Sequence, residues 1–190
     1  MEEVSLIQML DARERRVHHQ QELLAWYGKP LVCFTMNIAG PVKDTPLIRR
    51  GFARGRQLLE RQFLRCRWTP LYTDVSRAVT GCEAFYVLDA SPLEIKRLTT
   101  LVEDASPLGR LFDMDVLCPD GRKVDREELQ LEGRRCLLCG GPAKVCSSRR
   151  VHTVAALQEK TTEILTRTFT ELDAATAAQQ AVRALLYEVT

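Results

Sequence analysis

The sequence predicts an α+β fold in which helices pack on a mixed or antiparallel sheet, with a long helix at the C-terminal end. Three observations lead there. Apolar residues alternate between helical spacing and short strand-like runs, the runs are closed by glycine, proline and aspartate turns, and no internal repeat or low-complexity tract interrupts them. The 190 residues suffice for one well-buried domain, read here as residues 1–190.

Ser5 to Tyr27 reads as the first helix: Leu6, Leu10, Val17 and Leu24 recur at helical spacing, DARERR (Asp11 to Arg16) charges the other side, and Gly28 and Pro30 stop it. PLVCFTMNIAG, Pro30 to Gly40, reads as a buried strand. Thr45 is a natural N-cap and Pro46 a natural first residue for a helix whose buried side carries Ile48, Phe52, Leu59 and Phe63. Strands are expected around Trp68 to Asp74 and Glu83 to Leu88, then a helix opened by Ser91 and Pro92 and running to about Val102. GRLFDMDVLCPDG, Gly109 to Gly121, is a strand whose turn, Pro119-Asp120-Gly121, leads toward a hairpin partner. After a Cys/His-rich loop over 134–152, the segment 151–190 carries Val154, Leu157, Ile164, Leu165, Phe169, Leu172, Val182 and Leu185 at helical spacing to Glu188, as one long helix or two shorter ones.

Composition narrows the function classes. An apolar fraction of 45% and a charged fraction of 27% are ordinary for a globular protein. No apolar run reaches the roughly 18 residues of a membrane span, and the charged start MEEVSLIQMLDARERR is unlike a signal peptide, so a cytoplasmic protein is expected. Seven cysteines spread through predicted helices and strands point to reduced thiols. A net charge of +2 with 6% aromatic residues argues against nucleic acid as a partner. Most of the basic residues are arginine, the side chain suited to bidentate recognition of phosphate or carboxylate.

Three constellations carry chemistry. Asp113 and Asp115 fall two apart in a strand, hence on one face, where two carboxylates repel unless a divalent cation lies between them. Mg²⁺ takes such oxygen ligands together with substrate phosphates and supports displacement at phosphorus. Two exposed aspartates on the wet side of an edge strand would give the same pattern. Lys43, Arg49 and Arg50 surround the start of the Thr45 helix, where cations oppose the helix dipole at roughly 0.3–1 kcal/mol each and an anion would remove the conflict; pairing with Asp44 is the alternative. Cys136, Cys139, Cys146 and His152 form C-x₂-C-x₆-C-x₅-H, the ligand types and knuckle spacing of a structural Zn²⁺ site, although His152 also fits the start of the last helix. Arg134, Arg135, Arg149 and Arg150 flank that loop as a basic patch, whereas His18 and His19 read as surface residues.

GRLFDMDVLCPDG, followed by RRCLLCGGPAKVCSSRRVH and preceded by FTMNIAGPVKD with IRRGF, resembles the holo-acyl-carrier-protein synthases of bacterial citrate lyase, also called apo-citrate lyase phosphoribosyl-dephospho-CoA transferases. PLGRLFDMDV and RRCLLC are the specific parts, and the likeness runs from about Asp11 to His152. The resemblance implies a nucleotidyltransferase that takes 2′-(5″-triphosphoribosyl)-3′-dephospho-CoA and attaches its phosphoribosyl-dephospho-CoA group to a serine of the lyase's acyl carrier protein, the gamma subunit, releasing diphosphate. It implies Mg²⁺ on Asp113 and Asp115, and phosphate contacts from Arg110, with Lys43, Arg49, Arg50 and Arg126 as further candidates. The carrier subunit of malonate decarboxylase is the alternative acceptor, and a non-enzymatic zinc-stabilised basic module the alternative class.

A more distant likeness is to polymerase-β-type nucleotidyltransferases. The sequence departs from their Gly-Ser, spacer, D-x-D pattern, because Gly109 is followed by Arg110 and no third aspartate is evident; Glu103 and Asp125 are the carboxylates near enough in sequence to stand in for it. An acidic carrier subunit would be steered by basic surface, from Arg13, Arg15 and Arg16 or from the arginines around the cysteine loop.

Overall fold

Ser5 starts the first helix with a reciprocal cap: its hydroxyl accepts the Gln8 N–H at 3.2 Å while the Gln8 side chain accepts the Ser5 N–H at 2.8 Å. That helix, α1 (Leu6–Tyr27), stops at Gly28, whose φ of +58° is the left-handed conformation glycine adopts without penalty. The structure, a computed structural model, describes residues 2–187, with side chains through residue 180. After α1 come β1 (Leu31–Met36), α2 (Pro46–Arg65), β2 (Tyr72–Ala78), β3 (Gly81–Val87), α3 (Pro92–Asp104), a 3₁₀ turn (Leu108–Leu111), β4 (Phe112–Leu117), a second 3₁₀ turn (Arg126–Leu129), α4 (Ala143–Ser148) and α5 (Val154–Tyr187).

The four strands form one antiparallel sheet in the order β2-β3-β1-β4. Alternation along the strands gives it two unlike faces. Val32, Phe34, Ala84, Tyr86, Phe112, Met114 and Val116 join the main core with Ile48, Phe52, Leu59 and Phe63 of α2, Ile95, Leu98 and Val102 of α3, and Ile164, Leu165 and Phe169 of α5. Each fully buried large side chain here is worth roughly 1.5–3 kcal/mol of transfer free energy. Close approach of α2 depends on Gly55, where a Cβ would fall 2.5 Å from the Phe34 ring. On the other face Leu31, Cys33, Phe85, Val87 and Leu117 pack with Leu23 and Leu24 of α1.

Several local expectations are corrected. Of the expected apolar stripe of α1 only Leu24 packs on the sheet: Leu6, Leu10 and Val17 are exposed, and the helix presents Ala12, Arg16, His19 and Leu23 beside Leu24. Arg16 donates to Glu83 at 2.5 Å, and His19, expected at the surface, packs edge-on against Phe85 at 4.8 Å between centroids. The face α1 covers holds an acidic residue of β3, so a polar helix side satisfies it better than the leucine side would.

The strand expected near Trp68 begins at Tyr72, because Arg67, in a left-handed conformation, and the turn after it must first reverse the chain; the Leu71 N–H then donates to the Val87 carbonyl. Beyond the Asp120 turn there is a single bridge, Leu117 to Lys123, rather than a full hairpin strand. The C-terminal segment is one helix, α5, starting at Val154; its expected end at Glu188 lies outside the described residues, as do the side chains of Val182 and Leu185.

Candidate active site

Asp113 and Asp115 lie on one side of β4, opposite Thr35 and Cys33 of β1, while Phe112, Met114 and Val116 point the other way into the core. β4 is an edge strand, and side chains and a loop occupy its outer edge. Met114, the residue between the two aspartates, gives its N–H to Glu103 at 2.9 Å and accepts Lys96 Nζ on its carbonyl at 3.2 Å. Arg134 donates to the Phe112 carbonyl, and the Val124 N–H donates to Val116 at 2.8 Å. Lys96 and Glu103 are 5% and 3% exposed, on one side of α3. Burial pulls the Lys96 ammonium below its ordinary pKa, against the opposing pull of Glu103.

Gly109 brings the preceding 3₁₀ turn against α3, where a Cβ would fall 2.5 Å from the Glu103 carbonyl oxygen and 2.6 Å from that of Val102. The glycine of GRLFDMDV is therefore a packing position.

The two carboxylates face cations. Lys123 Nζ is 2.5 Å from Asp115, and Arg134 is 3.5 Å from Asp113. Burial first, then the neighbouring Asp115, pushes the Asp113 carboxyl above the usual aspartate pKa, with Arg134 and Lys123 opposing. Both aspartates line a cavity of about 860 Å³ together with Lys96, Lys123, Arg126 and Arg134. A second cavity of about 620 Å³ lies between the cysteine loop and α5, with Arg110, His152 and Leu157 in its wall. Arg134, Arg135, Ala143 and Ser147 belong to both walls, so the two adjoin. Asp113 also borders a small cavity of about 150 Å³ toward α1.

Cys136, Cys139, Cys146 and His152 come together with all ligand atoms within 4.8 Å of one another. Cys139 Sγ is 3.5 Å from Cys146 Sγ and 3.3 Å from His152 Nε2. A tetrahedral ion with bonds of about 2.0–2.3 Å places its ligands roughly 3.3–3.8 Å apart, so the cluster has the dimensions to hold a metal ion. Gly140, at φ +71°, reverses the chain after Cys139, the Cys136 N–H donates to the Gly141 carbonyl at 2.6 Å, and α4 delivers Cys146. Burial pushes the Cys136 thiol up, but main-chain N–H groups of Cys139 and Leu138 and the two other thiols outweigh it and bring the pKa to about 6.

The remaining expected site residues divide. Arg110 donates to the Arg135 carbonyl and lines the 620 Å³ cavity; burial, then Arg134, lowers its pKa. Arg126 bonds Glu103 at 2.6 Å and Asp104 at 2.9 Å at the edge of the larger cavity. Lys43 donates to the Ile38 carbonyl at 2.5 Å and lines the small cavity with Asp113. Arg49 and Arg50 are not brought to the aspartates: Arg49 pairs with Asp44 at 3.1 Å, and Arg50 pairs with Asp173 at 2.7 Å while lying over the Phe169 ring. Of the two carboxylates near enough in sequence to join the pair, Glu103 is engaged by Met114 and Arg126, and Asp125 caps the second 3₁₀ turn.

Sequence reasoning missed Lys96 and Lys123. Pairing across the Asp120 turn sets Lys123 opposite Leu117, on the aspartate side, so the turn carried a signal for it; a buried lysine in a helix carries none.

Comparison with known proteins bears on this geometry. The family model described as apo-citrate lyase phosphoribosyl-dephospho-CoA transferase matches residues 4–168. A probable apo-citrate lyase phosphoribosyl-dephospho-CoA transferase of Vibrio cholerae is 37% identical over 162 residues, covering 85% of this chain and 91% of the relative. The Citrobacter koseri protein named apo-citrate lyase phosphoribosyl-dephospho-CoA transferase is 34% identical over 154 residues, 81% and 84% of the two chains. Protein CitXG of Haemophilus influenzae is 33% identical over 157 residues; the match covers 83% of this chain and 34% of that longer protein. With the model match spanning the sheet, the aspartate strand and the cysteine loop, the chain belongs to the apo-citrate lyase phosphoribosyl-dephospho-CoA transferase family.

Proposed function

We propose that this protein transfers the phosphoribosyl-dephospho-CoA group of 2′-(5″-triphosphoribosyl)-3′-dephospho-CoA to a serine of the citrate lyase acyl carrier subunit. The observation that carries the reading is the pair Asp113 and Asp115, on one face of a fixed strand and in the wall of a cavity of about 860 Å³ that also holds Lys123 and Arg134. The serine oxygen forms a bond to the phosphorus nearest the ribose, and the bond from that phosphorus to the outer diphosphate breaks. The bonding electrons leave on diphosphate, and the serine proton is lost to solvent.

Two adjacent carboxylates, one of them held above its ordinary pKa by burial and by the other, form a donor set that suits a hard divalent cation, and Asp113 and Asp115 would hold Mg²⁺. When bound, Mg²⁺ supplies charge neutralisation at the triphosphate oxygens and at the departing diphosphate. The chain's own groups do the positioning. Lys123 and Arg134 keep the carboxylates apart from each other's charge and present cations to phosphate oxygens. Lys96 and Glu103 fix Met114, so the aspartates cannot swing with a loose strand edge. Cys136, Cys139, Cys146 and His152 would hold Zn²⁺ in a site whose four positions are all protein ligands, a structural arrangement.

The test is the intact mass of the purified apo-carrier subunit after incubation with this protein, Mg²⁺ and triphosphoribosyl-dephospho-CoA. The expected result is a gain equal to the phosphoribosyl-dephospho-CoA group. No gain on this carrier, with a gain on the malonate decarboxylase carrier, would replace the acceptor; no gain on either would overturn the reading.

A further inference from the structure

The large and small cavities meet at Asp113, which lines both, and they differ in size and charge. The small one, about 150 Å³, is bounded by Arg13 and Arg16 of α1, Lys43 and Asn37 of the segment after β1, and Thr80 of the β2–β3 turn. A drug-sized ligand needs roughly 300–1,000 Å³, so this space suits only a compact group. Its cations are incompletely matched. Arg16 is taken by Glu83, but among the described residues neither Arg13 nor Lys43 has a carboxylate within 4.0 Å, and Lys43 reaches only the Ile38 carbonyl. Burial chiefly, then the neighbouring Arg13, lowers the Lys43 pKa.

Displacement at phosphorus places the entering and leaving oxygens on opposite sides of the reacting atom. With the reacting phosphorus at the aspartates, the departing diphosphate lies opposite the entering serine oxygen, and the ribose side of the substrate, held on a third oxygen of the same phosphorus, needs a space of its own. The 860 Å³ cavity, which adjoins the 620 Å³ one, is the larger space and carries Glu127 and Glu132 beside its cations, whereas among the described residues Asp113 is the one carboxylate in the wall of the small cavity.

We infer that the Arg13–Lys43 cavity is the subsite for the two outer phosphates, so that diphosphate departs toward α1 while the dephospho-CoA portion lies toward the cysteine loop. This inference rests on the transferase reading. It gives α1 a part in substrate binding and fixes the direction in which the substrate lies across β4.

The test is calorimetric titration of the full chain with diphosphate in the presence of Mg²⁺ and, separately, with 3′-dephospho-CoA. The expected result is that Lys43→Met weakens diphosphate binding by tenfold or more and Arg13→Gln by several-fold, that Lys43→Arg restores most of it, and that dephospho-CoA binding changes less than twofold in all three. Unchanged diphosphate binding in Lys43→Met, or loss confined to dephospho-CoA, would overturn the assignment while leaving the transferase reading intact. A wild-type chain that bound neither ligand would overturn both.

Discussion

The aspartate strand and the cysteine loop each gather groups that suit a metal ion, but they are held together in opposite ways. Asp113 and Asp115 stand on β4, whose intervening Met114 is 0% exposed and hydrogen-bonded by Lys96 and Glu103 on its outer edge. That scaffold is made of hydrogen bonds to the main chain and core packing that do not run through the two carboxylates. In the segment from Arg134 to His152 only Cys136 is buried, so the loop has little apolar packing to hold its shape. On the proposed reading, a cation at the aspartates would serve as a reagent and one at the cysteine loop as a staple: removing the first should leave the fold, and removing the second should loosen the loop.

The largest expected effect falls on activity at the strand. Asp113→Asn should lower carrier modification by about two to three orders of magnitude, the scale of losing one charge-stabilising group at a reacting centre, while its melting temperature stays level or rises; a parallel loss of activity and stability would erase the contrast. Next comes the scaffold. Glu103→Ala removes a buried carboxylate from Met114 and Arg126 and should cost about 3–5 kcal/mol in urea unfolding. An effect under 1 kcal/mol would mean that the β4 edge holds itself.

At the loop, Cys139→Ser should abolish stoichiometric bound metal by elemental analysis and speed proteolytic cutting within residues 134–152, with far-ultraviolet dichroism nearly unchanged because the sheet and its core helices lie elsewhere. Retained metal would place the ligands differently. The smallest effect is a pH slope in chelator. Because the folded-state Asp113 carboxyl titrates above its ordinary range, the unfolded chain loses that proton first as pH rises. Stability therefore declines from the ordinary aspartate pKa through the raised one and then levels. Asp113→Asn should flatten that slope in denaturation curves taken across the acid range.

Much of this architecture was legible in local sequence. Thr45 and Pro46 begin α2 as its first residues suggest, the Ile48, Phe52, Leu59, Phe63 stripe is its buried side, and the period-two alternation of FDMDV separates core from site. The Cys136, Cys139, Cys146 and His152 cluster was legible for the same reason, since knuckle spacing is a short-range constraint. What escaped depends on pairing between distant segments. The orientation of α1 is set by Glu83, 67 residues from its partner Arg16, and the fixing of Met114 by α3 needs β4 to be an edge strand, which no window of sequence states. Lys43 was noticed as a cation near a helix start, and its place beside Asp113 follows from the chain after β1 folding back toward α1. Arg49 and Arg50, noticed on the same ground, serve ion pairs with Asp44 and Asp173 instead.

The occupied edge of β4 also bears on how the protein behaves in crowded solution. Unpaired strand edges recruit further strands and seed aggregates. A chain approaching β4 would have to dislodge Arg134, Glu103, Lys96 and the Val124 main chain in turn before finding a free donor or acceptor. The contacts that keep two aspartates in register thus also close one border of the sheet to self-association, leaving β2, with Asp74 and Arg77 along it, as the side on which any growth would have to begin.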